Sequence, residues 1–231
     1  LMMAFGQLDQ KNILELGSGL GRFSIYLAKQ GAHITGVDIG ADLVLSARAL
    51  ALVNRIDCAF EQCNIVELPY ANGSFDVVFG ISILHHFPQT DVVVAMRETS
   101  RVLRENGIAI FVEPVENSVL FNTLQNLIPL GKPDEWGYRP SILNRKAWKR
   151  YVNDLDDRDM TTQELRLIGK DLFSRTQIQS YGFLIRLQRL TGFKYRNQLI
   201  TLDKFLFTYF PPIRFYAQMA LAKYSKSNLV P

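Results

Sequence analysis

Along residues 12–113, short apolar runs alternate with longer amphipathic ones. The runs at 12–16, 33–37, 57–62, 75–81 and 107–113 are short and centred on apolar side chains, the texture of strands buried on both faces, and each gap has room for a covering helix. Parallel strands joined by right-handed helical crossovers make this a doubly wound α/β sheet with helices on both sides. Gly31 is placed to close the first helix and Asn106-Gly107 the helix after the fourth strand, because both tolerate left-handed backbone.

From Pro114 the pattern breaks. Pro129, Gly131, Pro133, Gly137 and Pro140 exclude a single regular element, and a basic cluster (Arg139, Arg145, Lys146, Lys149, Arg150) precedes an acidic one (Asp154, Asp156, Asp157, Asp159). This stretch reads as a lid or insertion near a substrate, although the basic run serves equally as a solvated face. Thr161-x-x-Glu164 is a capping box, and Leu165, Ile168 and Leu172 share one helical face, so a helix is expected over 162–172. Residues 173–181 read as a sixth strand. Beyond 183 the chain interleaves aromatic side chains, Phe193 among them, with Arg and Lys and is split by Pro211-Pro212. The chain parses as one domain, 1–231, with parts 1–114, 115–172 and 173–231.

The candidate chemistry begins where the first strand runs into Gly17-Ser18-Gly19-Leu20-Gly21. Glycines leave no Cβ to hold a ligand off the loop, and the helix that follows offers unpaired N–H groups and the positive end of its dipole, so this is a nucleotide-binding turn. A dinucleotide fingerprint G-x-G-x-x-G needs glycine at position 22, where Arg22 stands. The turn is G-x-G-x-G, preceded by Glu15, which weighs against a nicotinamide dinucleotide and an oxidoreductase.

This turn resembles motif I of the class I S-adenosylmethionine-dependent methyltransferases, and four further segments carry the likeness. The second strand ends in Asp38. Cys63-Asn64-Ile65-Val66-Glu67-Leu68-Pro69-Tyr70 is similar to the family's Gly-Asp-Ala-x-x-Leu-Pro-Phe segment. The fourth strand runs through Gly80 into Ile83-Leu84-His85-His86-Phe87, and Arg101-Val102-Leu103-Arg104-Glu105-Asn106-Gly107 is similar to the turn before the family's fifth strand. The resemblance covers roughly residues 12 to 114.

It implies a Rossmann-like sheet of seven strands, mostly parallel, with an antiparallel last strand beside the fifth; residues 215–224 are the candidate for it, with helices over 184–210. It also implies a cofactor site. Gly17, Ser18, Gly19 and Gly21 would approach the amino-acid end of S-adenosylmethionine, Glu15 would orient the loop or reach the cofactor's ammonium through water, and Asp38 would hold the ribose. Ile39 and Ile65 would sandwich the adenine, and Gly80 completes the set. Asn64 stands where relatives place Asp; its amide oxygen can accept the same adenine hydrogen bond without charge, or it caps a turn. His85, His86 and Glu113 are candidate groups for proton removal from the acceptor, or a pocket wall and a solvated strand end. The implied reaction is O- or C-methylation of a small molecule such as a quinone precursor, sugar, polyketide or lipid-like compound, releasing S-adenosylhomocysteine. Gly80-Ile81-Ser82-Ile83 stands where nucleic-acid amino methyltransferases carry Asn/Asp-Pro-Pro-Tyr/Phe, so no nucleic-acid substrate is expected.

Composition narrows the picture further. The chain has 231 residues, 48% of them hydrophobic, enough for one substantial core, and its longest apolar stretches are broken well short of the ~20 residues of a spanning helix. Cys58 and Cys63 flank a strand on opposite faces, so no disulfide is expected; with no Cys/His metal spacing and no secretory leader, the expectation is a soluble, cytoplasmic protein without a metal. The start Leu1-Met2-Met3 suggests a processed or truncated chain, with little length for the N-terminal helix that closes over the cofactor in relatives. A net charge of +4 admits an anionic substrate or membrane surface without naming either, and the aromatic tail keeps a hydrophobic or membrane-associated acceptor open. Two further readings stand beside the enzyme: a cofactor-binding scaffold without catalysis, and a lipid-surface protein.

Overall fold

The computed structural model describes residues 2–118, 123, 127, 129, 140–153, 158, 160–185 and 194–227. Gly131, Pro133, Gly137, Arg139, Asp154, Asp156, Asp157, Asp159 and Phe193 lie outside the described residues. The elements are α1 (Met2–Phe5), β1 (Asn12–Leu16), α2 (Arg22–Ala28), β2 (His33–Asp38), α3 (Ala41–Asn54), β3 (Ala59–Gln62), β4 (Phe75–Ile81), α4 (Gln89–Val102), β5 (Leu103–Pro114), α5 (Arg145–Asn153), α6 (Thr162–Leu167), β6 (Arg175–Tyr181), α7 (Arg196–Tyr209) and β7 (Met219–Ser225). The seven strands lie in the order β3-β2-β1-β4-β5-β7-β6.

The first five strands pair in parallel, Leu14 with Thr35 on one side and with Val78 on the other. Both neighbours of β7 run against it. The Lys226 N–H donates to the Gly107 carbonyl and the Val115 N–H to the Gln218 carbonyl, while Ser174 and Gly182 meet Ser225 and Gln218 in the same reversed sense. The expected antiparallel last strand is therefore present, inserted beside β5. It begins at Met219 rather than 215 because Pro211–Tyr216 forms a 3-10 turn, which the two prolines favour at its start.

Burial explains why these segments fold as they do. Ile13, Leu14, Leu16, Val78 and Phe79 are fully buried at the sheet centre, whereas β6 alternates exposed and half-buried positions, as an edge strand does. In α3, Val44, Ala47 and Ala51 face inward at helical spacing and pack with Ile25 of α2 and Phe60 of β3. In α4, Val92, Ala95, Met96, Thr99 and Val102 form the buried face.

Three expectations shift in detail. The helix after β4 ends at Val102, not at Asn106-Gly107; Asn106 does take left-handed backbone (φ 63°), but inside β5. There it forms a bulge, and the register against β4 moves from Phe75 opposite Leu103 to Val77 opposite Ile108. The helix expected over 162–172 stops at Leu167. Gly169 presses its backbone against the Tyr224 ring, where a Cβ would collide, and the Tyr224 hydroxyl donates to the Leu165 carbonyl. The first N–H of α6, on Thr162, donates to Asn117 Oδ1 at 2.9 Å, an acceptor 45 residues away. Cys58 and Cys63 are free thiols, half-buried rather than buried, and burial pushes Cys58 up to about 11. Among the described residues no helix is long and apolar enough to cross a membrane.

By compactness the chain forms two units. One comprises 1–113, 163–178 and 221–231; the other comprises 114–162 and 179–220. In the second unit Arg145, Lys146, Lys149 and Arg150 are exposed along α5, with Ala147 and Trp148 half-buried between them.

Candidate functional site

All the candidate residues lie in the first unit, at or near the carboxyl ends of β1 to β5, where open α/β sheets bind ligands. Gly17, Gly19 and Gly21 all have positive φ (67°, 52° and 70°), backbone that costs a residue with a Cβ about 1–2 kcal/mol. Their surroundings differ. A Cβ on Gly19 would meet nothing within 4 Å, so this glycine opens on space a ligand can use. A Cβ on Gly21 would fall 2.6 Å from the Phe60 ring, and one on Gly17 would strike Ile83, with Cγ1 only 2.8 Å away. At those two positions a side chain would collide with the protein itself, so the packing of Ile83 and Phe60 also requires glycine there.

Two carboxylates frame the turn. Asp38 Oδ2 accepts the Gly19 N–H at 2.8 Å and Oδ1 accepts the Gly40 N–H at 2.9 Å, so Asp38 ties the glycine turn to the start of α3. Each oxygen keeps a second lone pair for a further donor. Glu15 is buried beneath the loop, and one of its oxygens accepts both the Ser24 N–H (3.1 Å) and the Ser24 hydroxyl. Ser24 is the third residue of α2, so Glu15 clamps an otherwise unpaired donor at the helix start. Burial pushes the Glu15 carboxyl up to about 7; the Ser24 bonds act against this, and the Asp38 charge adds to it. The Ser18 hydroxyl is buried with no hydrogen-bond partner among the described residues.

On the adenine side the two expected faces are unequal. Ile39 is 65% exposed, whereas Ile65 is 3% exposed and belongs to the core. Asn64 Oδ1 accepts the Val66 N–H at 3.2 Å, forming the turn that was its alternative reading. The segment is held from below: Arg101 donates to the Leu68 and Tyr70 carbonyls at 2.8 and 2.6 Å and pairs with Glu98, which in turn accepts the Leu68 N–H.

The histidines stand on a strained loop. Ser82, with φ 53°, turns the chain at the end of β4 and donates its N–H to the Val112 carbonyl at 2.7 Å. Ile83 then lands on Gly17 and also on Gly80, where a Cβ would lie 2.6 Å from Ile83 Cγ2. Glu113, expected as a candidate base or a solvated strand end, is wholly buried. Its Oε1 accepts the N–H groups of Ile83 and Leu84, both at 3.0 Å, and its Oε2 lies 2.8 Å from His85 Nδ1. In the tautomer that donates from Nδ1 to Glu113, Nε2 of His85 is the acceptor nitrogen. His85 is buried, His86 is exposed, and their rings lie 4.1 Å apart. Sequence reasoning gave no role to Ser24, Ser82, Ile83, Glu98 or Arg101; Ile83 and Arg101 stand in the quoted motifs, but their contacts are long-range.

The chain is similar in sequence and fold to known methyltransferases. Residues 13–107 match a family model described as a methyltransferase domain. Over 151 residues the chain is 32% identical to a ubiquinone biosynthesis O-methyltransferase of Alkalilimnicola ehrlichii, covering 62% of this chain and 60% of that protein. It is 36% identical over 98 residues to the 27-O-demethylrifamycin SV methyltransferase of Amycolatopsis mediterranei, covering 41% of this chain and 35% of that one. The chain thus spans less than two thirds of the length of these relatives. In fold it is similar to phosphoethanolamine N-methyltransferase 2 of Haemonchus contortus, solved with S-adenosyl-L-methionine, with a TM-score of 0.67 at 16% identity over 98% of this chain and 51% of that one.

Two predictions follow from this packing. Gly17→Ala should destabilise the protein by about 2–4 kcal/mol, the sum of left-handed strain and overpacking, against about 1 kcal/mol for Gly19→Ala. Adding Ile83→Ala should recover part of the first loss and none of the second, as read by chemical denaturation. The second prediction concerns pH. With a folded value of about 7 against an unfolded value near 4.5, the folded state binds the extra proton, so the Glu15 contribution is full below pH 4.5 and is lost as pH rises through 7. Stability lost between pH 5 and pH 8 should exceed that of Glu15→Gln by about 2–3 kcal/mol in denaturation curves.

Proposed function

We propose that this chain, which through residues 13–107 belongs to the class I S-adenosylmethionine-dependent methyltransferases, moves a methyl group to a hydroxyl of a small-molecule acceptor. The observation that carries the reading is Ile83, which packs on Gly17 of the cofactor turn while its own N–H binds Glu113, so that one contact chain links the turn to His85 and His86. The residues fit the cofactor. Gly19 opens on space, the Ser18 hydroxyl lacks a partner among the described residues, Asp38 keeps lone pairs for a ribose, and Ile39 offers an exposed apolar face.

When bound, S-adenosylmethionine supplies a methyl group on a positively charged sulfur that departs as a neutral thioether. Against that electrophile the chain has mainly to position the acceptor and take its proton. In our reading the exposed His86 meets the acceptor, and His85, its tautomer held by Glu113, supports it from below. A wholly buried Glu113 does not reach substrate and acts through His85. The hydroxyl acceptor rests on the two O-methyltransferase names among the relatives. The oxidoreductase reading is disfavoured by Arg22 and the domain match, and the scaffold reading by relatives named as O-methyltransferases.

Isothermal titration should show S-adenosylmethionine binding in the micromolar range, about −8 kcal/mol, and no binding of NAD. Asp38→Ala should weaken that binding by about 1.5–3 kcal/mol, the loss of hydrogen bonds to a charged group. Absence of binding to the unaltered chain would sink the reading. In a methyl-transfer screen over phenols, quinols and hydroxylated natural products, His86→Ala and His85→Ala should each lower turnover by about 10²-fold or more while leaving cofactor affinity unchanged. Full turnover in both would remove the histidines from the proton path.

A further inference from the structure

Charge is unevenly divided along this chain. Residues 172–231 contain nine of its 26 Lys and Arg but only one of its 22 Asp and Glu, Asp203. That one acid is turned inward: Asp203 is buried in α7, and its two oxygens accept the Leu184 and Ile185 N–H groups at 2.6 and 3.0 Å. The described surface of this segment is therefore free of acidic groups, while Lys194, Arg196, Lys204 and Arg214 are exposed on it.

The same surface is apolar where a helix in water should be polar. α7 already buries one face, through Asp203 and Phe207. On another side Leu202, Phe205 and Tyr209, at i, i+3 and i+7, form a second stripe with exposures of 46%, 51% and 67%. The stripe leads into the exposed Phe210 and, past the two prolines, Phe215. Arg214 fastens the 3-10 turn to the helix end, donating to the Phe207 carbonyl at 2.8 and 3.0 Å. Contiguous exposed aromatic and aliphatic side chains rimmed by cations, without an acid among them, match the interface of a bilayer with negative headgroups. A second copy seated through this same patch would bring like charge against like charge.

We propose that the outer stripe of α7 and the Pro211–Tyr216 turn dock this protein on an anionic phospholipid surface. The inference does not depend on methyl transfer. It is tested by co-sedimentation of the full chain with vesicles of phosphatidylcholine alone or with about one third phosphatidylglycerol. The anionic vesicles should retain at least ~10-fold more protein, and high salt should release it. The double variant Phe205→Ser/Tyr209→Ser should retain at least ~5-fold less while melting at the same temperature, because both side chains are exposed. Equal retention on both vesicle types, no retention, or retention unchanged in the double variant would overturn the proposal. So would a solution dimer that the double variant dissociates, or competition by single-stranded RNA that leaves vesicles unbound.

Discussion

The Glu113 carboxylate is the constraint on which the site is built. It is wholly buried at the end of a central strand, where an ionised group is tolerated only if donors surround it. Three do so: two successive backbone N–H groups and an imidazole, all from the loop after β4. Satisfying one charge thus dictates the path of residues 82–86. The left-handed turn at Ser82 is the strain that path imposes, and charge-assisted hydrogen bonds of about 1.5–3 kcal/mol each exceed it.

That loop in turn explains the glycines. Ile83 occupies the volume that a side chain at position 17 or 80 would need, so these glycines record how closely β1 and the histidine loop approach each other. At Gly19 no such neighbour stands within 4 Å of a Cβ. Glu15 and Asp38 complete the frame from the other side: one clamps the start of α2 from beneath, and the other bridges the glycine turn to α3. Burial raises the pKa of Glu15, the acid beneath the loop.

The second unit follows different physics. Its helix α7 carries a buried acid that caps a neighbouring turn and an outer stripe that water should not favour. The whole acid content of residues 172–231 is spent on the inside. On the described outer face of α7 and the Pro211–Tyr216 turn, exposed aromatic and cationic side chains remain.

The parallel sheet and its glycine turn were legible in the sequence. Buried parallel strands need unbroken apolar runs, and a left-handed turn needs glycine, so both leave local marks that could be read from residues 12–21 and from the spacing to Asp38. Boundaries were less legible where a distant group sets them. Helix α6 ends early because Tyr224, 55 residues beyond Gly169, lies against its backbone, and β7 starts late because of the turn at Pro211. The division of labour in the site was decided only by tertiary structure. Nothing near Glu113 in sequence reveals that it is buried, and nothing near Ile65 that it faces inward while Ile39 faces out. Those roles depend on which strands become neighbours, and a parallel sheet brings together residues about 30 positions apart, as with Ile83 and Glu113.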